Sequence, residues 1–531
     1  MNDKRIKNPL VWIPLIIAVT FVAGMWTGSA LIHRSHNSDS IEKLATVLKL
    51  IESQYVDEID IDSLLEKSIP DLLAHLDPHS VYIAREDLQS VNDELDGSFS
   101  GIGISFSIMN DSVTVLEVIS GGPSEKVGLL AGDRIVSIDD SVAVGWTNEQ
   151  VIRNLRGDKG SDVKLGIKRA TAPGETLTYI VTRGDIPVNS LDAAYLIDKT
   201  TGYVKLNKFS ATTYNEFIQA MARLQSQGAR KFIVDLRGNG GGYMQPAIQM
   251  ANEFLPKGRL IVSTKGRDTS MDEMVVSDGT GTFQNVPLTV LMDEYSASAS
   301  EIFAGAMQDN DRGTIVGRRS FGKGLVQNQT MLPDSSAIRL TVARYYTPSG
   351  RCIQKTYKNG ISDYNNEILE RYARGEFYSA DSVKLDDKLV FKTVGGRTVY
   401  GGGGIMPDLF VPNDTTGLTS WYLTVANAGL IHRFSFEFAD LNRAELSNHG
   451  TLDSLLKALP DDDYLLQAFV TYAQENGVAP RWYYINISRP MLVNQLKAFI
   501  VRDLLDMSDF YRVWNTDDPV IDKALRELSK N

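Results

Sequence analysis

Tyr295-Ser296-Ala297-Ser298-Ala299-Ser300-Glu301 opens a stretch that closes at Phe321-Gly322-Lys323-Gly324 and Gln327. An apolar run, Val286 to Met292, precedes it and predicts a buried strand; the serines begin a helical segment ending near Asn310. A serine at a strand-to-helix turn is presented where backbone N–H groups can meet an oxyanion, which suits acyl transfer. It also needs a base. The histidines are His33, His36, His75, His79, His432 and His449, with none between positions 80 and 431. A lysine is nearer, and a desolvated lysine titrates closer to neutrality and can take a serine proton. Serines also cap helices and Gly-Lys-Gly also makes turns, so neither motif decides alone. Together they read as a Ser–Lys hydrolase.

A nucleotide-binding reading competes. Gly317-Arg318-Arg319-Ser320-Phe321-Gly322-Lys323 has the glycine and lysine spacing of a P-loop. It fails on chemistry, because Gly324 stands where a Ser or Thr hydroxyl should reach the metal. Leu325 to Val342 then alternates as a β-segment through a Pro333-Asp334-Ser335-Ser336 turn, where a phosphate loop needs a helix N-terminus.

At 531 residues the chain predicts three or four folded units. Its net charge of -12 argues against nucleic acid as a partner, which would want a basic face. Lys4, Arg5 and Lys7 precede an uncharged stretch from Asn8 to Ile32, long enough to span a bilayer. The basic residues before it predict a single-pass anchor in the inner membrane, with the remainder extracytoplasmic, on the periplasmic side. Gly28-Ser29-Ala30 offers a cleavage site, but the length of the apolar stretch favours an uncleaved anchor. Cys352 is the single cysteine, so no intrachain disulfide forms, and a structural role is expected for it.

Residues 1–34 are thus read as anchor or signal and 41–96 as an N-terminal helical region, with Ile41, Leu44, Leu48, Ile51 and Tyr55 on one helical face. Asp77-Pro78 ends a second helical pattern, Leu64 to Leu76. Asp57, Asp60 and Asp62 read as caps and solvated charge, not as a calcium loop. Residues 97–170 form a β-rich unit whose Gly122-Pro123-Ser124, Gly128-Leu129 and Gly132-Asp133-Arg134-Ile135 series resembles a PDZ domain. Such a domain adds a peptide as an extra strand and holds its terminal carboxylate on backbone N–H groups, here those of Gly101, Ile102, Gly103 and Ile104. The Arg-Gly-Asp triplets at 156–158 and 183–185 are read as incidental, the second as the start of a linker. Residues 190–412 change to an α/β pattern. Thr201–Leu206 and Phe232–Leu236 predict strands, and Arg237-Gly238-Asn239-Gly240-Gly241-Gly242 a loop where backbone amides approach a ligand oxygen. The polar segment 355–400 reads as an insertion, and 413–531 as a helical extension whose apolar faces form core. The fold class is therefore a multidomain α/β protein: anchor, helical segment, PDZ domain, α/β core and helical C-terminal extension.

From 41 to 412 the chain resembles the C-terminal processing peptidases, or tail-specific proteases. The motifs are Leu76-Asp77-Pro78-His79-Ser80, Gly101-Ile102-Gly103, the PDZ series, Asp235-Leu236-Arg237 with its glycines, the serine run, Gly322-Lys323-Gly324, Tyr346-Thr347-Pro348-Ser349-Gly350 and Gly404-Ile405-Met406-Pro407-Asp408. The resemblance implies a serine endopeptidase that processes or degrades proteins recognised through their C-terminal tails. It implies Ser298 as nucleophile, Lys323 as general base and Gln327 as the group orienting the lysine. An oxyanion hole would come from the amides of Ala299 and, in the glycine loop, Gly241. Asp293 replaces a frequent asparagine and Gly240 a common proline. No cofactor or metal is required. The alternative is a non-enzymatic PDZ scaffold on an inert protease fold. A homodimer built from the N-terminal helices and the tail is a further expectation.

Overall fold

The computed structural model describes residues 38–530 apart from 110, 120, 170, 171, 173 and 385. The anchor expected over 8–32 lies outside the described residues. Among them, no helix is long and apolar enough to cross a membrane.

The chain divides at His75. In the first unit, helices Ser38–Gln54 and Ile61–Ala74 follow the apolar spacing, and Asp60 caps the second through the Asp62 amide. Ile41, Leu44, Val47 and Leu50 are exposed on the first helix.

In the second unit, a six-stranded antiparallel sheet carries Ile104–Met109 at one edge, where a peptide strand could be added. Its core is Val113, Val115, Ile135, Val151, Val163, Leu165 and Ile167. The sheet runs past 170: Leu177–Thr182 pairs antiparallel with Asp162–Lys168. Leu177, Tyr179 and Val181 point inward at period two, which makes a strand of what the sequence reading left outside the unit. Nor does 183–185 begin a linker. Buried Arg183 donates to the carbonyls of Leu155, Asn154 and Asp162, and Gly184–Pro187 pairs with Ser98–Gly101.

The α/β core is a sheet in the order Leu191–Leu196, Thr201–Leu206, Lys231–Asp235, Leu288–Met292, Thr314–Gly317, Leu409–Phe410. All pairings after the first are parallel. Buried on both faces, the central strands are near-continuous apolar runs. Helices Thr213–Ser226, Met244–Phe254 and Ala299–Asp309 cover one face, with Phe217, Phe232, Phe254 and Phe303 between. The C-terminal helix Pro519–Leu528 covers the other, setting Val520, Ile521, Ala524 and Leu528 on Tyr203, Ile233, Leu291 and Val316. Residues 420–514 are helical, with a core that includes Trp421, Phe469, Leu492 and Leu496. The apolar faces expected of Leu465–Ala473 and Leu492–Leu504 are therefore core.

A second sheet holds the hairpin Leu325–Met331/Ala337–Tyr346. A strand, not a helix, follows Lys323, which removes the phosphate-loop reading.

Candidate active site

The site lies where open parallel sheets bind ligands, beyond the carboxyl ends of the strands. Lys231–Asp235 runs into the glycine loop, and its neighbour Leu288–Met292 runs into the serine turn. Ser298 sits at φ +56°, ψ −114°, a backbone conformation that costs a non-glycine residue about 1–3 kcal/mol and is retained where surrounding contacts over-determine it. Here they do. The Ser298 amide donates to Glu301 at 2.9 Å, and Ala297 and Ser300 bond the carbonyl of Asn239 in the glycine loop.

Glu301 is the residue that sequence reasoning missed. It is fully buried and also accepts from the Ser320 hydroxyl (2.5 Å) and the amides of Gly322 (2.7 Å) and Lys323 (2.8 Å). One carboxylate thus joins the serine turn to the lysine loop. Burial pushes its carboxyl up, against the pull of those four donors. A signal was present: Ser298 and Glu301 have the S-x-x-E spacing of a capping box.

Ser298 and Lys323 line one cleft of about 450 Å³, together with Tyr243, Met244, Ile302, Leu325, Val326, Gln327 and Tyr345. Lys323 Nζ donates to Gln327 Oε1 at 3.0 Å. A bulge between Val326 and Gln327 re-aims that side chain, and Gln327 Nε2 donates to the His79 carbonyl. The turn bearing His79 is tied by Asp77, which accepts from the His79 and Ser80 amides and from the Ser80 and Thr341 hydroxyls. Burial first, then the Arg339 charge, push the Lys323 ammonium below its usual range, while Asp77 and Glu301 pull the other way. Burial and the charge on Lys323 push His79 down to about 4, so this ring is neutral at physiological pH.

The segment 355–400 is bound to the lysine loop. Its helix Ile361–Ala373 carries fully buried Arg371, which donates to the carbonyls of Ser320 (2.7 Å) and Phe321 (3.0 Å). Tyr364 on the same helix hydrogen-bonds His79 Nε2 at 2.7 Å. These supports carry no local sequence pattern. Burial pushes the Cys352 thiol up, away from the reactive thiolate.

One of the two expectations about backbone donors changes. Ala299, first residue of its helix, has an amide with no intrahelical partner. The Gly241 amide instead donates to its neighbour Asn239 Oδ1 at 2.9 Å, an Asx-type turn that takes it out of the hole. Gly240 and Gly242 also line the cleft, and their amides have no acceptor among the described residues. Gly241 acts through close approach: at φ +98°, a Cβ there would lie 2.7 Å from both Ser298 Cβ and the Ala297 carbonyl. Gly241→Ala is therefore expected to lower kcat about 100-fold with little change in KM, the cost of displacing a reacting atom by about an ångström. Steady-state kinetics checks it; a wild-type kcat would remove the steric argument.

The departures are accommodated. Asp293 uses one oxygen to accept from the Gly238, Tyr295 and Ser296 amides, which an asparagine carbonyl could equally do. A Cβ at Gly240 would meet nothing within 4 Å, so a larger side chain has room there. In the PDZ unit, Gly101 ends one strand and Ile104 begins the next. Between them the carbonyls of Ile102 and Gly103 accept from Ser124 and Ile119, while the Ile102 and Gly103 amides have no acceptor among the described residues.

Comparison with known proteins identifies the family. Residues 200–363 match the model of peptidase family S41 and 100–181 that of the PDZ domain. Residues 27–87 match the activating protease CtpB N-terminal domain, and 421–506 a family of unknown function. The carboxy-terminal-processing protease of Bartonella bacilliformis is 35% identical over 412 residues, 75% of this chain and 92% of its own. The carboxy-terminal processing protease CtpA of Bacillus subtilis is 31% identical, over 65% of this chain and 73% of its own. Among solved structures, a photosystem II D1 C-terminal processing protease is 27% identical over 70% of this chain and 88% of its own, with a TM-score of 0.34. Similarity that runs through 92% of a relative joins whole proteins and not one shared module. The chain belongs to the carboxy-terminal processing proteases, serine-type peptidases of family S41.

Proposed function

We propose that this protease cleaves proteins recognised through their C-terminal tails, with Ser298 as nucleophile, Lys323 as general base and Gln327 as the group that orients the lysine. One observation carries the reading: Ser298, on a strained turn, and Lys323, with a depressed ammonium pKa, line the same cleft. Neutral Lys323 takes the Ser298 proton as Oγ attacks the scissile carbonyl; the ammonium then protonates the leaving amine, and the amine activates the deacylating water. The Ala299 amide and the acceptor-free Gly242 amide of the glycine loop stabilise the tetrahedral oxyanion. Each such donor is worth roughly 3–4 kcal/mol in comparable sites. Lys323 Nζ donates to Gln327 and has no hydrogen bond to Ser298 Oγ among the described residues, so catalysis needs the two brought within reach.

The PDZ unit takes the substrate tail along the Ile104–Met109 edge, with its carboxylate on the Gly101–Ile104 turn. Residues 8–32 anchor the chain in the membrane with the protease outside the cytoplasm, a reading supported by the basic residues before them. The exposed apolar face of the Ser38–Gln54 helix suits a homodimer contact.

The test uses the full chain without added nucleotide or metal. A poorly folded reporter carries either an apolar or a charged C-terminal tail. Cleavage should favour the apolar tail and vanish in Ser298→Ala. Tail binding without cleavage would favour the inert scaffold, and cleavage by Ser298→Ala would assign the nucleophile elsewhere.

A further inference from the structure

Arg339 stands on the strand Ala337–Tyr346, paired between Val81 on one side and Gln329 on the other. It lines the cleft that holds Ser298 and Lys323. A guanidinium in a partly enclosed site ordinarily meets a carboxylate in a charge-assisted pair. This one does not. Its hydrogen bond runs to a neutral acceptor, Gln329 Oε1 at 2.8 Å, and Gln329 is held in turn by Asn92 Oδ1 at 3.0 Å. No carboxylate lies within ion-pair distance of Arg339 among the described residues. The nearby acids are engaged: Glu301 bonds the lysine loop, Asp77 closes the His79 turn and Asp96 accepts from the Tyr243 hydroxyl. Apart from Lys323 and Arg339, the cleft lining is neutral. It therefore presents an oriented cation with unused donors beside the reacting atoms.

We propose that Arg339 is a specificity-determining residue that receives the side-chain carboxylate of an aspartate or glutamate flanking the scissile bond. The inference rests on the Ser298–Lys323 reading of this cleft. The terminal carboxylate is a separate matter, since its proposed receptor is the Gly101–Ile104 turn of the PDZ unit. An acidic side chain on Arg339 would also screen the cation that faces Lys323. The other groups facing Lys323 are Asp77 and His79 from the turn and Glu301 from the helix, with His79 neutral. Replacing Arg339 by a neutral residue thus removes a repulsion, and the acid limb of kcat/KM moves to higher pH.

The experiment uses the full chain and an unstructured peptide with a mapped cleavage site. Glu, Gln or Lys is scanned through the positions on either side of the scissile bond, each peptide with a free or an amidated C-terminus. At one position Glu should exceed Gln by roughly tenfold in kcat/KM, the size of one charge-assisted hydrogen bond, chiefly through KM. Arg339→Gln should abolish that ratio and Arg339→Glu should reverse it in favour of Lys. Arg339→Lys should keep most of it, and serves as the readout if the other variants fold poorly. The inference is overturned by equal Glu/Gln ratios in wild type and Arg339→Gln, or by a preference that disappears on amidation. Either result with Ser298→Ala inactive leaves the nucleophile assignment standing; cleavage by Ser298→Ala would remove that assignment itself.

Discussion

Lys323→Met should retain the fold and lose about 10³-fold or more in kcat/KM, because the serine then has no base and the leaving amine no acid. The substitution leaves the packing of the aliphatic stem largely in place, and the backbone amide of residue 323 still reaches Glu301. Lys323→Arg is the sharper variant. It keeps a cation in the cleft but cannot give up a proton at any accessible pH, so it should be as inactive as methionine. A charge with a merely structural role would be rescued by arginine. The pH profile of the wild type supplies the same distinction. The amine is the active form, so kcat/KM rises with pH through the Lys323 titration. Burial and Arg339 place that titration below the ordinary lysine value of 10.5. The limb should vanish in the residual activity of Lys323→Met; its persistence would assign it to another group. His79 does not compete for it, since its own titration is pushed down to about 4.

Deleting residues 517–531 should destabilise the protease core as severely as a large cavity would, although the segment is far from the serine in sequence. Val520, Ile521 and Leu528 are buried against the back of the central sheet. At about 1.5–3 kcal/mol for each such side chain, their loss costs roughly 4.5–9 kcal/mol, comparable with the whole stability of an ordinary domain. The deletion also removes Asp518, which pairs with Arg237 Nη1 at 2.7 Å. Arg237 and Lys205 hold fully buried Asp235 ionised against the penalty of burial, and Asp235 lies at the entrance to the glycine loop. Asp518→Asn separates the two contributions: it should lower kcat more than it lowers the melting temperature. The deletion should appear as insoluble protein or a lost cooperative transition. A truncated chain that melts within a few degrees of wild type and still cleaves would show that the sheet does not depend on this helix.

Much of the site was legible because it is local. The apolar run before the serines, the turn chemistry at Pro333–Ser336 and the absence of histidines between 80 and 431 select the serine turn, exclude a phosphate loop and point to a lysine. Those readings need only short-range rules: strand patterning, proline and glycine punctuation, and the proton affinity of a desolvated amine. The choice of Ser298 among three serines came from resemblance to a family; the structure places that residue at a strained turn.

What the sequence by itself determined, then, is the order of the modules, the reading of a serine nucleophile with a lysine base, and the apolar faces of the helices. Tertiary structure decided what those groups touch: Glu301 joining two loops 20 positions or so apart, the His79 carbonyl on Gln327, Arg371 behind the lysine loop, the C-terminal helix against the sheet, and Asn239 taking the Gly241 amide. The physical reason is common to all of them. A buried polar group must find a partner wherever the fold brings one, and a carbonyl or an amide that serves as that partner is present at nearly every residue, so no side-chain pattern marks it in advance.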